Sequence, residues 1–182
     1  IMTQVAAQSF ALRVPMVEFV ARQETDEMPG FSWVTKTSAD IFAGRRVAVF
    51  ALPGAFTPTC SSTHLPGYEA NYELIRNCNI DEVYCLSVND SFVMNAWFKS
   101  QSVEKVKPLA DGSGKFSRQM GMLVDKDNLG FGMRSWRYSM VVNDGIVERI
   151  WVEPGQSDNF EADPFDVSDY ETMLNWLQGR TN

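Results

Sequence analysis

The chain has few of the residues that most often carry catalytic or metal-binding chemistry: three cysteines and one histidine among 182 residues. An odd, small number of irregularly spaced cysteines does not form a disulfide framework and suits a reducing compartment, so we expect a cytoplasmic protein. No apolar stretch approaches the length of a transmembrane helix. Residues 1–10 lack a charged segment followed by a continuous apolar run, so they do not resemble a secretory signal peptide.

Positive charge is also scarce. Sixteen Lys and Arg residues face 23 Asp and Glu residues, for a formal net charge of −7, and no basic stripe is present. Nucleic acids and anionic membrane surfaces are therefore not expected partners. The length and the hydrophobic content of 45% are sufficient for a substantial core. With no internal repeat or long linker, the sequence predicts one domain spanning residues 1–182.

Hydrophobic periodicity predicts alternating strands and helices followed by a hairpin that turns at Asp144-Gly145. Strands are expected at 14–20, 47–52, 82–88, 106–110, 139–142 and 146–152, and helices at 40–44, 58–77, from 91 to about 100, and 115–120, with 28–37 rich in turns. Ser168 and Glu171 have capping-box spacing and predict the start of a last helix. Parallel strands joined through helices and ending in a hairpin predict an α/β protein with a mixed central sheet flanked by helices, an order that a thioredoxin-like fold fits.

The most informative stretch is the run from Pro53 to Cys60, which follows an apolar strand and leads into a helical pattern. Thr57 suits the N-cap position and Pro58 the first helical position. Cys60 is then expected in the first helical turn, where unpaired N–H groups and the positive end of the helix dipole face it. A thiol placed there loses its proton more easily, and the thiolate is the reactive form, so the sequence predicts a nucleophilic cysteine among polar neighbours.

The other cysteines and the histidine have simpler interpretations. Cys78 and Cys85 are expected to be buried small residues, Cys85 within an apolar strand. His64 lies one turn after Cys60 and is expected to pack and hydrogen-bond so as to fix the helix. A Cys–His protease pair or a metal site is the alternative, but a protease base usually comes from a distant segment and a structural zinc needs four ligands.

Arginine is a natural partner for a thiolate because it is always charged and offers several fixed donors. Arg134 and Arg137 stand just before the strand at 139–142. Arg137, adjacent to that strand, is expected to be held rigidly near a site in the sheet. The alternative is that both arginines are solvated loop charges.

The pattern Pro53-x-x-x-Thr57-x-x-Cys60 resembles the active-site signature of the peroxiredoxins. The stretches 52–68, 86–97, 121–124 and 134–145 are similar to the type II, or peroxiredoxin-five, subfamily. The resemblance runs from about Val14 to about Leu177, and it is especially close to the peroxiredoxin part of bacterial peroxiredoxin-glutaredoxin hybrids.

The resemblance implies a thioredoxin fold and a thiol peroxidase that reduces hydrogen peroxide and alkyl hydroperoxides without a bound cofactor. Cys60 would be the peroxidatic cysteine, and the Thr57 hydroxyl would bind thiolate and peroxide. Arg137 would stabilise developing charge, and Pro53 would shield the pocket from water. The resemblance also implies a homodimer formed near the active-site face.

Members of this subfamily that form an intramolecular disulfide carry a resolving cysteine in the stretch that matches 153–169, where this chain has none. The resemblance therefore implies a one-cysteine mechanism with glutathione or glutaredoxin as reductant, and thioredoxin as the other candidate. Cys85 is the fallback resolving cysteine, since some plant members have a cysteine at the matching position. Two other functions stay open: a redox-responsive binding or chaperone protein, and a structural thioredoxin-like module.

Overall fold

The computed structural model describes residues 12–24 and 31–180. In chain order its elements are β1 (Glu18–Glu24), β2 (Phe31–Thr37), α1 (Ser38–Phe42), β3 (Arg46–Ala51), a π-helical turn (Cys60–His64), α2 (Leu65–Ala70), α3 (Tyr72–Arg76), β4 (Glu82–Ser87), α4 (Ser91–Ser100), β5 (Lys107–Ala110), α5 (Lys115–Gln119), β6 (Leu123–Asp125), a 3-10 turn (Asp127–Leu129), β7 (Met133–Ser135), β8 (Tyr138–Asn143), β9 (Ile146–Val152) and α6 (Tyr170–Leu177).

Five strands form a mixed central sheet in the order β5-β4-β3-β8-β9. β3, β4 and β5 run parallel, whereas β8 pairs antiparallel with β3 and with β9. β1 and β2 form a separate antiparallel hairpin, and β6 and β7 form another. The predicted mixed sheet and the Asp144-Gly145 hairpin are confirmed.

Side chains of the central strand β3 alternate between two cores, one on each face of the sheet. Ala48, Phe50 and Leu52 belong to the first core, which helices α2, α3, α4 and α6 cover. Val47, Val49 and Ala51 belong to the second core, which α1, α5 and the β1–β2 hairpin cover. An apolar strand with both faces buried is what its sequence predicts, because successive side chains of a strand point to opposite faces.

The long helix expected over 58–77, in which Pro66 and Gly67 predict a kink or loosening, is divided. It begins at Pro58, widens into the π-helical turn, continues as α2, and breaks at Asn71 before α3. Pro66 has no N–H to donate to the preceding turn, and its ring crowds the carbonyl group four residues back. The wider turn relieves this, and the N–H of Leu65 donates instead to the carbonyl of Cys60, five residues away.

Three other predictions need correction. Residues 31–37 form strand β2 rather than turns, while 28–30 lie outside the described residues. The first strand begins at Glu18, not Val14, because Ser38 binds the backbone of residues 15–17 and holds it out of regular pairing. The last helix is capped by Asp169, since the Ser168 hydroxyl donates to a buried carboxylate instead.

No helix among the described residues has both the length and the apolar character needed to cross a bilayer.

We expect Ile75→Ala to lower the free energy of unfolding by about 2–4 kcal/mol, because deleting buried methyl groups leaves a cavity in the first core. Ile75 in α3 is fully buried, whereas its neighbour Leu74 is 49% exposed. Leu74→Ala is the matched control and should change stability by less than about 1 kcal/mol. Chemical denaturation of both variants measures the difference, and equal losses would contradict the assignment of the buried face.

Candidate active site

Cys60 lies in the first turn of the helix that follows β3. The helix begins at Pro58, and the carbonyl of Thr57 accepts the N–H of Ser61 at 3.0 Å, so Thr57 is the N-cap residue, as predicted. Its hydroxyl does not cap the helix but donates to the carbonyl of Gly54 at 2.6 Å. The proton of the Thr57 hydroxyl is used in this bond, so its oxygen lone pairs remain available to accept a hydrogen bond.

Cys60 is fully buried and packs in the first core. The expectation that only polar residues surround Cys60 is therefore wrong. Ser62 and Pro58 are exposed and Ser61 is half-buried, because the helix turns these residues toward solvent and Cys60 inward. The Ser61 hydroxyl accepts the indole N–H of Trp97 at 2.9 Å, which ties this turn to α4.

Arg137 reaches the sulfur from the neighbouring strand. Tyr138, the first residue of β8, pairs with Ala51, the last residue of β3, so Arg137 stands beside the loop that leads to Cys60. Its Nη2 donates to Cys60 Sγ at 3.4 Å, and the side chain is 1% exposed. Arg134, the other candidate, is farther out and donates to the carbonyl of Pro53 at 3.3 Å.

His64 holds the other side of the guanidinium. Its Nδ1 lies 2.8 Å from Arg137 Nη1, and its Nε2 lies 3.1 Å from the carbonyl of Ser168. Arginine can only donate, so Nδ1 accepts and the ring proton stands on Nε2, where it donates to the carbonyl. Burial lowers the pKa of His64 well below its ordinary value, and the Arg137 charge lowers it further. The histidine is therefore neutral and positions Arg137, a contact that the sequence reasoning missed.

Asp163 completes the set of groups around Arg137. Both of its carboxylate oxygens accept from Nη2, at 2.8 and 3.0 Å, and its side chain is 43% exposed. The Phe165 ring lies 5.5 Å from the guanidinium carbon. Burial alone would lower the pKa of Arg137, but the charges of Cys60 and Asp163 raise it. Nη2 of Arg137 thus donates both to the Cys60 sulfur and to the Asp163 carboxylate.

Glu153 anchors the loop that brings Asp163 to the site. Its carboxylate, 1% exposed, accepts the N–H groups of Asp166, Val167 and Ser168 and the Ser168 hydroxyl, at 2.7–3.3 Å. A buried carboxylate needs several donors to offset its lost hydration. No sequence motif pointed to Glu153, because its partners are backbone groups that any residue supplies.

Pro53 is buried just before the cysteine loop. Its carbonyl, bound by Arg134, links the loop to β7. Among the described residues no group of His, Cys, Asp and Glu side chains is arranged to hold a metal ion.

The two remaining cysteines are placed differently. Cys85 is fully buried in β4 and belongs to the same core as Cys60. Burial raises the pKa of its thiol well above the ordinary value, and the proximity of Cys60 adds to the shift. Cys78 is half-buried, and its thiol donates to the carbonyl of Leu74 at 3.4 Å. Cys85 is thus held as a neutral thiol.

A thioredoxin-like sheet with a cysteine at the start of a helix and a buried arginine on its sulfur defines a class of thiol-dependent redox enzymes. The family model for Redoxin matches residues 23–174. The chain therefore belongs to the Redoxin family.

Its relatives define the branch of that family. A peroxiredoxin from Synechocystis (strain PCC 6803) is 54% identical over 170 residues, covering 92% of this chain and 90% of the relative. The hybrid peroxiredoxin hyPrx5 of Haemophilus influenzae is 48% identical, covering 91% of this chain and 64% of its own length. The crystal structure of the Plasmodium falciparum antioxidant protein, a 1-Cys peroxiredoxin, superimposes with a TM-score of 0.87 at 33% identity, covering 93% of this chain and 99% of that one. These likenesses make the chain a peroxiredoxin and a thiol peroxidase with a thioredoxin-like fold.

We expect the stability of the protein to depend on pH through His64, the one histidine of the chain. Its folded pKa is depressed, so the unfolded state binds a proton that the folded state does not. Stability is then full above the ordinary pKa of 6.5 and falls as the pH drops below it. Between pH 6.5 and 5.5 the loss attributable to this group should be about 1 kcal/mol.

Denaturation at several pH values, on the wild type and on His64→Gln, measures this contribution. The glutamine keeps a donor and an acceptor but does not titrate, so its stability should change less over this range, whatever its absolute value. Parallel curves for the two proteins would contradict the neutral, buried histidine.

Asp163→Asn should make Cys60 react several-fold faster with hydrogen peroxide, because a competing anion on Arg137 Nη2 is removed while His64 still orients the guanidinium. Stopped-flow fluorescence of the reduced protein mixed with peroxide gives the rate. Asp166→Asn, in the same loop, is the control and should leave the rate unchanged. A slower reaction in Asp163→Asn would show instead that the carboxylate is needed to orient Arg137.

Proposed function

We propose that Cys60 is the peroxidatic cysteine and that Arg137 and Thr57 assist it, with Pro53 shielding the pocket. The observation that carries this assignment is the 3.4 Å hydrogen bond from the buried Arg137 Nη2 to Cys60 Sγ. A fixed cation at that distance is a donor to the sulfur and can stabilise charge that develops beside it in the reaction. The Thr57 hydroxyl, one turn earlier, offers its lone pairs at the helix start.

In the proposed reaction the Cys60 thiolate attacks one oxygen of a hydroperoxide. An S–O bond forms as the O–O bond breaks, and the leaving oxygen takes up negative charge and then a proton, which gives a sulfenic acid and water or an alcohol. Donors aimed at the developing charge lower the barrier. The Nε of Arg137 is buried without a partner among the described residues, so it can donate to a peroxide oxygen.

Access to the sulfur needs a local opening, because Cys60 and Arg137 are both almost completely buried. Asp163 is the solvent-exposed partner of Arg137. We propose that the peroxide displaces this carboxylate from Nη2 as it enters. Binding of the reacting oxygen then replaces one acceptor of Nη2 by another, so Nη2 is not left without an acceptor.

We further propose a one-cysteine cycle with glutathione, directly or through glutaredoxin, as reductant. A glutathione thiolate attacks the Cys60 sulfenic sulfur and releases water, and a second thiol reduces the mixed disulfide. The neutral, buried Cys85 thiol supports this proposal, since a protonated thiol is a poor nucleophile. The absence of cysteine from 153–169 and the likeness to a 1-Cys peroxiredoxin support it as well.

The setting of the enzyme completes the proposal. Three free cysteines are consistent with a reducing compartment, which we propose to be the cytoplasm. We also propose a homodimer that covers exposed apolar side chains near the site. Phe56 is 56% exposed and Phe92 is 61% exposed. The loop before Phe92 contacts the cysteine loop, because Asn89 Oδ1 accepts the N–H of Ala55 at 3.0 Å.

Cys60→Ser should abolish peroxide turnover, because a serine hydroxyl at neutral pH is not ionised and cannot form a sulfenic acid. Turnover is followed as peroxide consumption in the presence of glutathione, glutaredoxin or thioredoxin. Cys78→Ser is the control and should keep full activity. Substantial residual turnover in Cys60→Ser would contradict the assignment.

Mass spectrometry after one equivalent of peroxide tests the resolving step. With glutathione present, the proposal predicts a glutathione adduct on Cys60, and Cys85→Ala should form the same adduct and turn over at the same rate. An intramolecular Cys60–Cys85 disulfide, with loss of thiol-dependent turnover in Cys85→Ala, would establish a two-cysteine mechanism instead.

A further inference from the structure

A cleft of about 400 Å³ lies on the face of the central sheet opposite to Cys60. It is bounded by the β1–β2 hairpin on one side and by strands β4 and β5 on the other. Phe19, Ile41 and Leu109 of the second core line its floor. Its volume falls in the range of small-molecule sites, which are mostly apolar with a few placed polar groups.

The charge around this cleft is opposite to the charge of the protein. Three cationic side chains line it, from Lys36, Arg45 and Lys107, and Glu82 is its one acidic lining residue. The whole chain carries a net charge of −7. We call this site the basic cleft. A concave, low-dielectric surface lined by one sign of charge concentrates ligands of the opposite sign.

Glu82 forms no salt bridge with these cations. Its Oε1 accepts the Tyr72 hydroxyl at 2.6 Å and the N–H of Val83 at 3.0 Å. Tyr72 belongs to the first core, so one oxygen of this carboxylate is already engaged by a residue outside the cleft. Among residues 12–24 and 31–180, no carboxylate forms a salt bridge with any of the three cations.

The cations differ in how firmly they are held. Arg45 donates from Nη1 to the carbonyl of Ile41 at 3.1 Å and to the Tyr84 hydroxyl at 2.9 Å, so its guanidinium is fixed. Arg22 lines the cleft through its backbone only, because its guanidinium lies over the Trp33 ring on the other face of the β1–β2 hairpin, 5.0 Å from the guanidinium carbon to the ring centroid. Lys36 and Lys107 are exposed, on β2 and β5, the two sides of the cleft. A ligand would therefore meet one fixed guanidinium group, that of Arg45, and two adjustable ammonium groups.

We propose that the basic cleft binds a small aliphatic monocarboxylate, with the carboxylate at the cations and the chain on the apolar floor. The apolar body is needed because surface cations alone bind a simple anion weakly in water. The anionic head is needed because an uncharged ligand would gain no electrostatic attraction from the cationic side chains. The site is separate from the peroxidase site, since the central sheet stands between the floor and Cys60.

Sodium octanoate is the probe, and amide chemical-shift changes on the reduced, full-length protein locate it. Saturable shifts should cluster at Ala21, Val34 and Leu109, which line the cleft. Octanamide, with the same chain and no charge, should bind at least about tenfold more weakly, and high salt should weaken octanoate binding. The double variant Lys36→Glu/Lys107→Glu should lose at least about tenfold in affinity.

The matched control is Lys99→Glu/Lys105→Glu, which changes the net charge equally at two exposed lysines outside the cleft. It should bind octanoate nearly as the wild type does. Thermal unfolding and peroxide turnover should be unchanged in both double variants, which separates this proposal from the peroxidase assignment. The proposal would be overturned if the chemical-shift changes clustered outside the cleft or did not saturate with octanoate. It would also be overturned if octanamide bound as tightly as octanoate, or if both double variants lost the same affinity.

Discussion

The active site depends on one buried cation. Arg137 is 1% exposed, and a guanidinium removed from water needs acceptors on its donor groups to offset the lost hydration. Three side chains supply them: the Cys60 sulfur, the neutral ring of His64 and the Asp163 carboxylate. Each lies on a different segment, so the position of the cation fixes how the helix start and the 153–169 loop meet β8.

This arrangement explains why the site contains a histidine that does not act as a base. A protonated ring beside Arg137 would place two cations together in a buried space. Burial and the Arg137 charge both act against that state. As a neutral ring His64 accepts from the guanidinium on one nitrogen and donates to the Ser168 carbonyl on the other. It thereby links the cation to the loop that Glu153 anchors, and the loop in turn delivers Asp163.

Much of the fold follows from local sequence, because each strand and helix has its own apolar period and turn residues. The alternation along β3 and the Asp144-Gly145 turn are examples, and both are found as predicted. The position of Cys60 at a helix start follows from Thr57 and Pro58 in the same way. The π-helical turn could not be predicted, since it arises from the way Pro66 disturbs the turn before it while α4 holds Ser61.

The parts of the site that sequence reasoning missed are those made between distant segments. His64, Glu153 and Asp163 have no local pattern that reveals their contacts, because their partners are 13 to 104 residues away. Arg137 could be selected over Arg134 only because it adjoins a buried strand, which fixes its position against β3. A residue next to a regular element can be placed from sequence, whereas a loop residue such as Asp163 can be placed only when its anchor is known. Glu153 is that anchor, and its role becomes visible only when the backbone N–H groups that it binds have been folded around it.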